Sequence, residues 1–112
     1  MKIQIDDANL ISVIVRKLKP DKTFEEFRDA WYPEKGFGFP VRVINAINEN
    51  DPGEIISIGL MKLSENNINE TMKRIAEQES IRHDKINEVI SETKLKGIYK
   101  IVSDDDLSQS NE

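Results

Sequence analysis

Residues 10–31 of the chain, LISVIVRKLKPDKTFEEFRDAW, place a strand and a helix in succession and largely decide the fold. The first part, Leu10–Leu18, is rich in β-branched residues, which favour the extended backbone of a strand. It is followed at once by Lys19-Pro20-Asp21, which is typical of a turn. This stretch therefore predicts a strand that ends at Leu18.

The second part of the stretch carries the start signal of a helix. Thr23 and Glu26 have the spacing of a capping box, in which each side chain accepts a hydrogen bond from the other residue's backbone N–H. One face of the predicted helix is aromatic, through Phe24, Phe27 and Trp31. Because proline cannot continue a helix, we expect this short helix to end by Pro33.

Downstream of this helix, the chain predicts three further strands and one long helical segment. The strands cover residues 41–47, 54–61 and 95–102, and the helical segment runs from Ser64 to about Ser91. The turn cluster Asn48–Gly53 predicts an antiparallel hairpin with a wide loop. In the long helical segment, the apolar periodicity breaks near Ser80, so we expect a kink there or two helices that meet there. Residues 2–5 could add a small extra strand.

The order strand, helix, strand, strand, helix, strand is the split βαβ, or ferredoxin-like, arrangement of the α+β class. It predicts a four-stranded antiparallel sheet with both helices on one face. We expect a single domain over residues 1–102. Residues 103–112 contain four of the 21 acidic residues and no basic one, so we expect an acidic, flexible tail.

Both faces of the predicted sheet are apolar, although the helices can cover only one. In the first strand, Ile11, Val13 and Val15 lie on one face, and Ile14 lies on the other. The third strand repeats this pattern on both of its faces. A large exposed apolar face is unusual for a monomer, so we expect a homodimer in which two sheets pack together.

Composition excludes several classes of function. The 112 residues carry a net charge of −5, and the body without the tail is close to neutral, which argues against nucleic-acid binding. No apolar run is long enough to span a membrane, and we expect no membrane association. The absence of cysteine is compatible with the reducing cytoplasm, which we predict as the location. Histidine occurs once, no HExxH motif is present, and we predict no metal site.

The helix start Thr23-Phe24-Glu25-Glu26-Phe27, the hairpin after it and the doubly apolar sheet resemble the dimeric α/β-barrel superfamily over about residues 9–102. The resemblance is to small antibiotic-biosynthesis-monooxygenase-like proteins. It implies a homodimeric barrel with a small cavity between the sheet and the helices of each subunit. Members include cofactor-independent oxygenases, haem-degrading oxygenases and isomerase-like enzymes. In this superfamily, haem degradation would require a tryptophan on a strand. Because Trp31 instead closes the first helix, we predict no cofactor.

His83 is the strongest candidate for catalysis, because histidine is the residue type whose unperturbed pKa lies near neutral pH. It could act as a general base or as an axial ligand, oriented by a carboxylate such as Glu79 one helical turn away. The alternative is a surface histidine on a polar helix face.

Aromatic residues near the end of the first helix could shape a ligand pocket. Trp31 and Tyr32 precede the loop over residues 33–40, and Phe37 and Phe39 lie within that loop as a potential lid. Trp31 could instead belong to the core, and the two phenylalanines could pack on the core or on a partner subunit.

Polar residues that interrupt the strands complete the candidate pocket. They are Ser12, Arg16, Arg42, Asn45, Ser57 and Tyr99. An arginine buried in a strand needs a counterion, which an anionic ligand, a salt bridge across a dimer or exposure at the strand end could each provide. Arg42 and Asn45 have opposite parity, so only one of them can face the helices. We select Arg16, Asn45 and Ser57 as pocket residues.

Two hypotheses for the function follow. The first is a homodimer that binds a small, partly apolar ligand and acts as a cofactor-independent monooxygenase-like or isomerase-like enzyme, with His83 as the proton-transfer group. The second is a non-catalytic ferredoxin-like interaction or metabolite-sensing module.

Overall fold

A computed structural model describes residues 8–33, 36, 37, 39–63 and 66–109 of the chain. Six elements follow one another in the predicted order. They are β1 (Leu10–Leu18), α1 (Phe24–Trp31), β2 (Val41–Asn48), β3 (Asp51–Met61), α2 (Ile68–Val89) and β4 (Ile90–Lys100). The predicted ferredoxin-like order is therefore confirmed. The suggested extra strand over residues 2–5 lies outside the described residues.

The four strands form one antiparallel sheet in the order β2-β3-β1-β4. β1 and β3 occupy the centre, and Val13 of β1 lies opposite Ile58 of β3. β2 and β4 form the two edges. Because consecutive residues of a strand point to opposite faces, this register fixes which side chains of β1 and β3 face the helices.

The capping box that begins α1 is present. The backbone N–H of Glu26 donates to Thr23 Oγ1 at 3.2 Å, and the backbone N–H of Thr23 donates to Glu26 Oε1 at 3.2 Å. The helix ends at Trp31, two residues before Pro33, as the sequence predicts. Its buried face presents Phe27, which is fully buried in the core.

The hairpin between β2 and β3 is tighter than predicted. Asn48 pairs with Asp51, so only Glu49 and Asn50 connect the strands, and the expected wide loop is wrong. Polar side chains support the tight turn: the backbone N–H of Asn50 donates to Asn48 Oδ1 at 2.8 Å. The turn cluster therefore lies partly within the strands, because its side chains satisfy local backbone donors.

The second helix is one continuous element, so the expectation of two helices meeting near Ser80 is wrong. Its buried stripe includes Thr71, Arg82 and Ile86, which together keep the helical period. The apparent break near Ser80 is due to Ile81, an apolar residue outside the buried stripe whose side chain is 72% exposed. At this point the buried stripe continues through the charged residue Arg82 and not through Ile81. β4 then begins directly at Ile90, five residues before the predicted strand.

The main core lies between the sheet and the two helices. It consists of Leu18, Phe27, Ile55, Ile86, Val89 and Ile90, with Phe24, Ala30 and Trp31 packed against it. The opposite face of the sheet carries the predicted second apolar set. That set, called here the open face, comprises Ile11, Val13, Val15, Ile44, Ala46, Ile56, Ile58, Leu60, Leu95 and Tyr99. Among the described residues, no helix packs on this face.

Candidate functional site

A small cavity lies between the helix-facing side of the sheet and the two helices. Its volume is about 60 Å³. Aromatic residues line one part of the wall, and they are Trp31, Phe37 and Phe39. Ser12 and Ser57 contribute hydroxyl groups from the central strands. We call this space the aromatic cavity.

The aromatic cavity contains most of the predicted pocket residues. Arg16, Trp31, Phe37, Phe39 and Ser57 all line it. Of the two other pocket residues, Asn45 does not line the aromatic cavity but reaches it indirectly, because Ser57 Oγ donates to Asn45 Oδ1 at 2.6 Å. Tyr32 is exposed and borders a more open depression beside the same Trp31.

Arg16 is buried at the base of this cavity, with 8% of its surface exposed. It lies on the helix-facing side of β1, and its Cζ is 5.5 Å from the centroid of the Phe27 ring. Its Nη1 atom is buried and has no hydrogen-bond partner among the residues that the structure describes. Burial lowers the pKa of Arg16, and the charge of Arg82 lowers it further, while Glu79 opposes both effects. A guanidinium nevertheless stays protonated in proteins, so Arg16 brings a positive charge into the cavity wall.

Arg82 is the residue of this site that the sequence analysis missed. Only 6% of its surface is exposed, and its Nη1 donates to the Trp31 backbone carbonyl at 2.5 Å. Its Nε donates to the Gln78 carbonyl at 3.0 Å, and its Cζ lies 5.3 Å from the Phe37 ring centroid. Burial lowers the pKa of Arg82, while Glu79 opposes the shift. The 3.6-residue stripe through Thr71 and Ile86 was the signal that could have identified it.

Glu79 is the acidic residue of the cavity wall, and its carboxylate already has a partner. Lys96 Nζ of β4 donates to Glu79 Oε2 at 2.5 Å. Neither Arg16 nor Arg82 forms a salt bridge with Glu79 within the described part of the chain. As far as the structure describes it, the wall thus combines two buried guanidinium groups with one carboxylate that already has a lysine partner.

His83 lies on the exposed side of α2, outside the aromatic cavity. Its Nε2 is 2.9 Å from Asn87 Nδ2, so an amide holds the ring rather than the expected Glu79 carboxylate. His83 borders a neighbouring cavity, which it shares with Arg16 and Glu79. The structure therefore separates His83 from the aromatic residues with which the sequence analysis grouped it.

The remaining strand polar residues lie away from the cavity. Arg42 has the parity of the open face and is exposed, whereas Asn45 faces the helices, as their opposite parity requires. Tyr99 pairs with Ile11 and is on the open face. Within the ranges that the structure covers, no three His, Asp or Glu side chains gather as a metal site, and no helix is long and apolar enough to cross a membrane.

Comparison with known proteins identifies the fold. No family model matches the chain, and no curated protein matches its sequence. A solved structure does match: a protein from Chloroflexus aurantiacus J-10-fl, provisionally named an antibiotic biosynthesis monooxygenase. The match has a TM-score of 0.53 at 8% sequence identity, and it covers 88% of this chain and 98% of that one. The chain therefore has the ferredoxin-like α+β fold, and it shares this fold with the Chloroflexus protein.

Proposed function

We propose that this chain binds a small, partly apolar ligand in the aromatic cavity and does so as a homodimer. The observation that carries the proposal is the lining of that cavity. Trp31, Phe37 and Phe39 supply apolar surface, while Ser12 and Ser57 supply hydroxyl groups that can orient a bound molecule. Small-molecule sites commonly have this composition, an apolar wall with a few polar groups.

The open face supports the dimer. Ile58 lies at its centre, between Val13 of β1 and Ile44 of β2. At the edge formed by β4, Leu95 is 44% exposed and Tyr99 is 45% exposed. A second copy offers the same apolar face, so two sheets related by a twofold axis would cover each other. Such packing would remove these side chains from water and stabilise the pair.

Native mass spectrometry of protein purified without added ligand tests both parts of the proposal. We expect the mass of two chains, with a reproducible small-molecule adduct on each. A dimer that never carries an adduct would remove the support for ligand binding but leave the assembly. A monomer would contradict the homodimer.

Catalysis is a second candidate function, with His83 as the proton-transfer group. The observation that favours it is the shared wall of the two cavities, because Arg16 and Glu79 border both. A ligand that spans this wall would approach the His83 ring, which Asn87 holds at 2.9 Å. The structural neighbour is named a monooxygenase. The reaction that we propose for this chain is cofactor-independent and either monooxygenase-like or isomerase-like. The competing hypothesis is a non-catalytic interaction or metabolite-sensing module.

Conversion of the co-purifying molecule distinguishes these two possibilities. The recovered molecule is returned to the protein in excess, and its mass is followed under air and under nitrogen. Conversion by the wild type that is lost in His83→Gln, with adduct binding retained, would support catalysis. Lys85→Gln, on the same exposed stretch of α2, is the matched control. Absence of conversion by the wild type would favour the non-catalytic module.

A further inference from the structure

Among the described residues, the charges around the aromatic cavity are unbalanced. Arg16 and Arg82 both border it and are both nearly completely buried, and Glu79 is the carboxylate beside them. Lys96 already binds Glu79, which leaves less of that negative charge to offset the two arginines. A buried charge without a partner is strongly unfavourable, so an excess of positive charge here requires an explanation.

The two arginines differ in what their N–H groups bind. Arg82 donates to the backbone carbonyls of Gln78 and Trp31, so its guanidinium has a structural role between the helices. Arg16 has a buried Nη1 with no acceptor in the described part of the chain, although nearly all buried donors in proteins have one. The unsatisfied hydrogen-bonding capacity of the site therefore lies on Arg16, at the boundary of both cavities.

We propose that Arg16 binds the carboxylate of a small ligand whose apolar or aromatic body lies against Trp31 and Phe37. This inference rests on the proposed ligand-binding function and names the class of ligand. A planar carboxylate matches the fork of N–H groups that a guanidinium presents, and it completes the hydrogen bonding of Nη1.

The same observations favour a carboxylate over a phosphate. Phosphate sites usually combine several donors, such as a glycine-rich loop or a helix N-terminus with a basic residue. Here the unsatisfied donor belongs to a single side chain, and Arg82 is already bound to carbonyl oxygens. The Ser12 and Ser57 hydroxyls provide neutral contacts only.

Matched acids and amides test the charge requirement directly. The pairs are acetate and acetamide, benzoate and benzamide, and phenylacetate and phenylacetamide, with inorganic phosphate as a further probe. Affinities are measured by titration calorimetry on the full chain, and the Arg16 Nε–H resonance is followed by NMR. At least one acid should bind with saturation, shift this resonance and bind at least about tenfold more tightly than its amide.

Variants of Arg16 separate a binding role from a structural one. Arg16→Met should weaken binding of that acid at least about tenfold, and Arg16→Lys should retain part of it. The matched control is Arg74→Met, on the exposed part of α2, which should bind as the wild type does. Ligand-free Arg16→Met should melt at no lower temperature than the wild type, since it removes an unsatisfied buried charge. If Arg16 had only a structural role, the Arg16→Met variant would melt at a lower temperature than the wild type.

The outcomes distinguish this inference from the function on which it rests. Amides that bind as tightly as their acids, or an Arg16→Met variant that keeps full affinity, would overturn the carboxylate and leave the ligand site. Tighter binding of phosphate than of every acid would also overturn it. If neither acids nor amides bind below about 10 mM, both the inference and the proposed binding function are contradicted.

Discussion

Arg82 Nη1 donates a hydrogen bond to the backbone carbonyl of Trp31 at 2.5 Å, across 51 positions of the chain. This contact joins the middle of α2 to the last residue of α1. A helix leaves its final carbonyl groups without intrahelical donors, so the buried guanidinium satisfies a group that the helix itself cannot. Arg82 thus holds the two helices together beside the aromatic cavity.

Replacing Arg82 should therefore destabilise the fold. We expect Arg82→Met to lower the free energy of unfolding by about 2 kcal/mol, because the Trp31 carbonyl loses its buried donor. Urea denaturation measures the change. Arg74→Met removes an exposed arginine from the same helix and should stay within about 0.5 kcal/mol of the wild type. Equal effects of the two substitutions would show that the Arg82 contact contributes nothing specific.

A charge at the centre of the open face should dissociate the proposed dimer. Ile58→Lys would bury an ammonium group between two sheets, whereas in a monomer the lysine can extend into water. We expect light scattering to give the mass of one folded chain for this variant and of two for the wild type. Ile81→Lys changes an exposed isoleucine on α2 and should remain dimeric. A dimeric Ile58→Lys protein would rule out this face as the interface.

The contact between β1 and β3 beside the cavity requires a glycine. A Cβ added to Gly59 would lie 2.5 Å from Ser12 Oγ, so the serine side chain would have to move. Gly59→Ala should cost about 1 kcal/mol of unfolding free energy. The double variant Gly59→Ala with Ser12→Ala should recover most of this loss, with Ser12→Ala alone as the reference. Without such recovery in urea denaturation, the cost of Gly59→Ala has another origin.

Two surface ion pairs near the hairpin should make the free energy of unfolding depend on pH in the acidic range. The hydrogen bond from Lys17 holds the pKa of Asp51 below its ordinary value, and that from Lys94 does the same for Glu54. A carboxylate whose pKa is lower in the folded state contributes stability above its ordinary pKa. That stability is lost as the pH falls through the lowered value.

We therefore expect the double variant Asp51→Asn, Glu54→Gln to lose less stability than the wild type between about pH 5 and pH 2. Urea midpoints across this range measure the difference. Lys17→Met with Lys94→Met removes the partners instead and should flatten the same part of the profile. If both double variants lose as much stability at low pH as the wild type does, other carboxylates determine the acid dependence of stability.

Local sequence signals predicted the elements of this fold. The capping box at Thr23 and Glu26 forms as expected, and the strand Leu10–Leu18 has the predicted bounds. These signals succeed because a helix cap and a strand's alternation depend on residues close together in the chain. The tight turn at Asn50 was missed because pairing between strands, rather than composition, determined its length.

The candidate site shows the limit of such signals. The sequence marked Arg16, Trp31 and Ser57 as residues that needed an explanation, because they interrupt apolar strands or close an aromatic helix face. It did not identify Arg82, since a charged residue at a core position looks like a break in the apolar period. Only the packing of α1 against α2 reveals the carbonyl that Arg82 binds.

The sequence by itself thus determined the order of the elements and the apolar character of both sheet faces. These properties follow from the local periods of 2 and 3.6 residues. The tertiary structure decided which polar groups are satisfied. Arg82 binds the Trp31 carbonyl, while Arg16 Nη1 has no acceptor within the described ranges, although both are buried arginines in one wall. That difference depends on distances between elements remote in the chain, which no local pattern encodes.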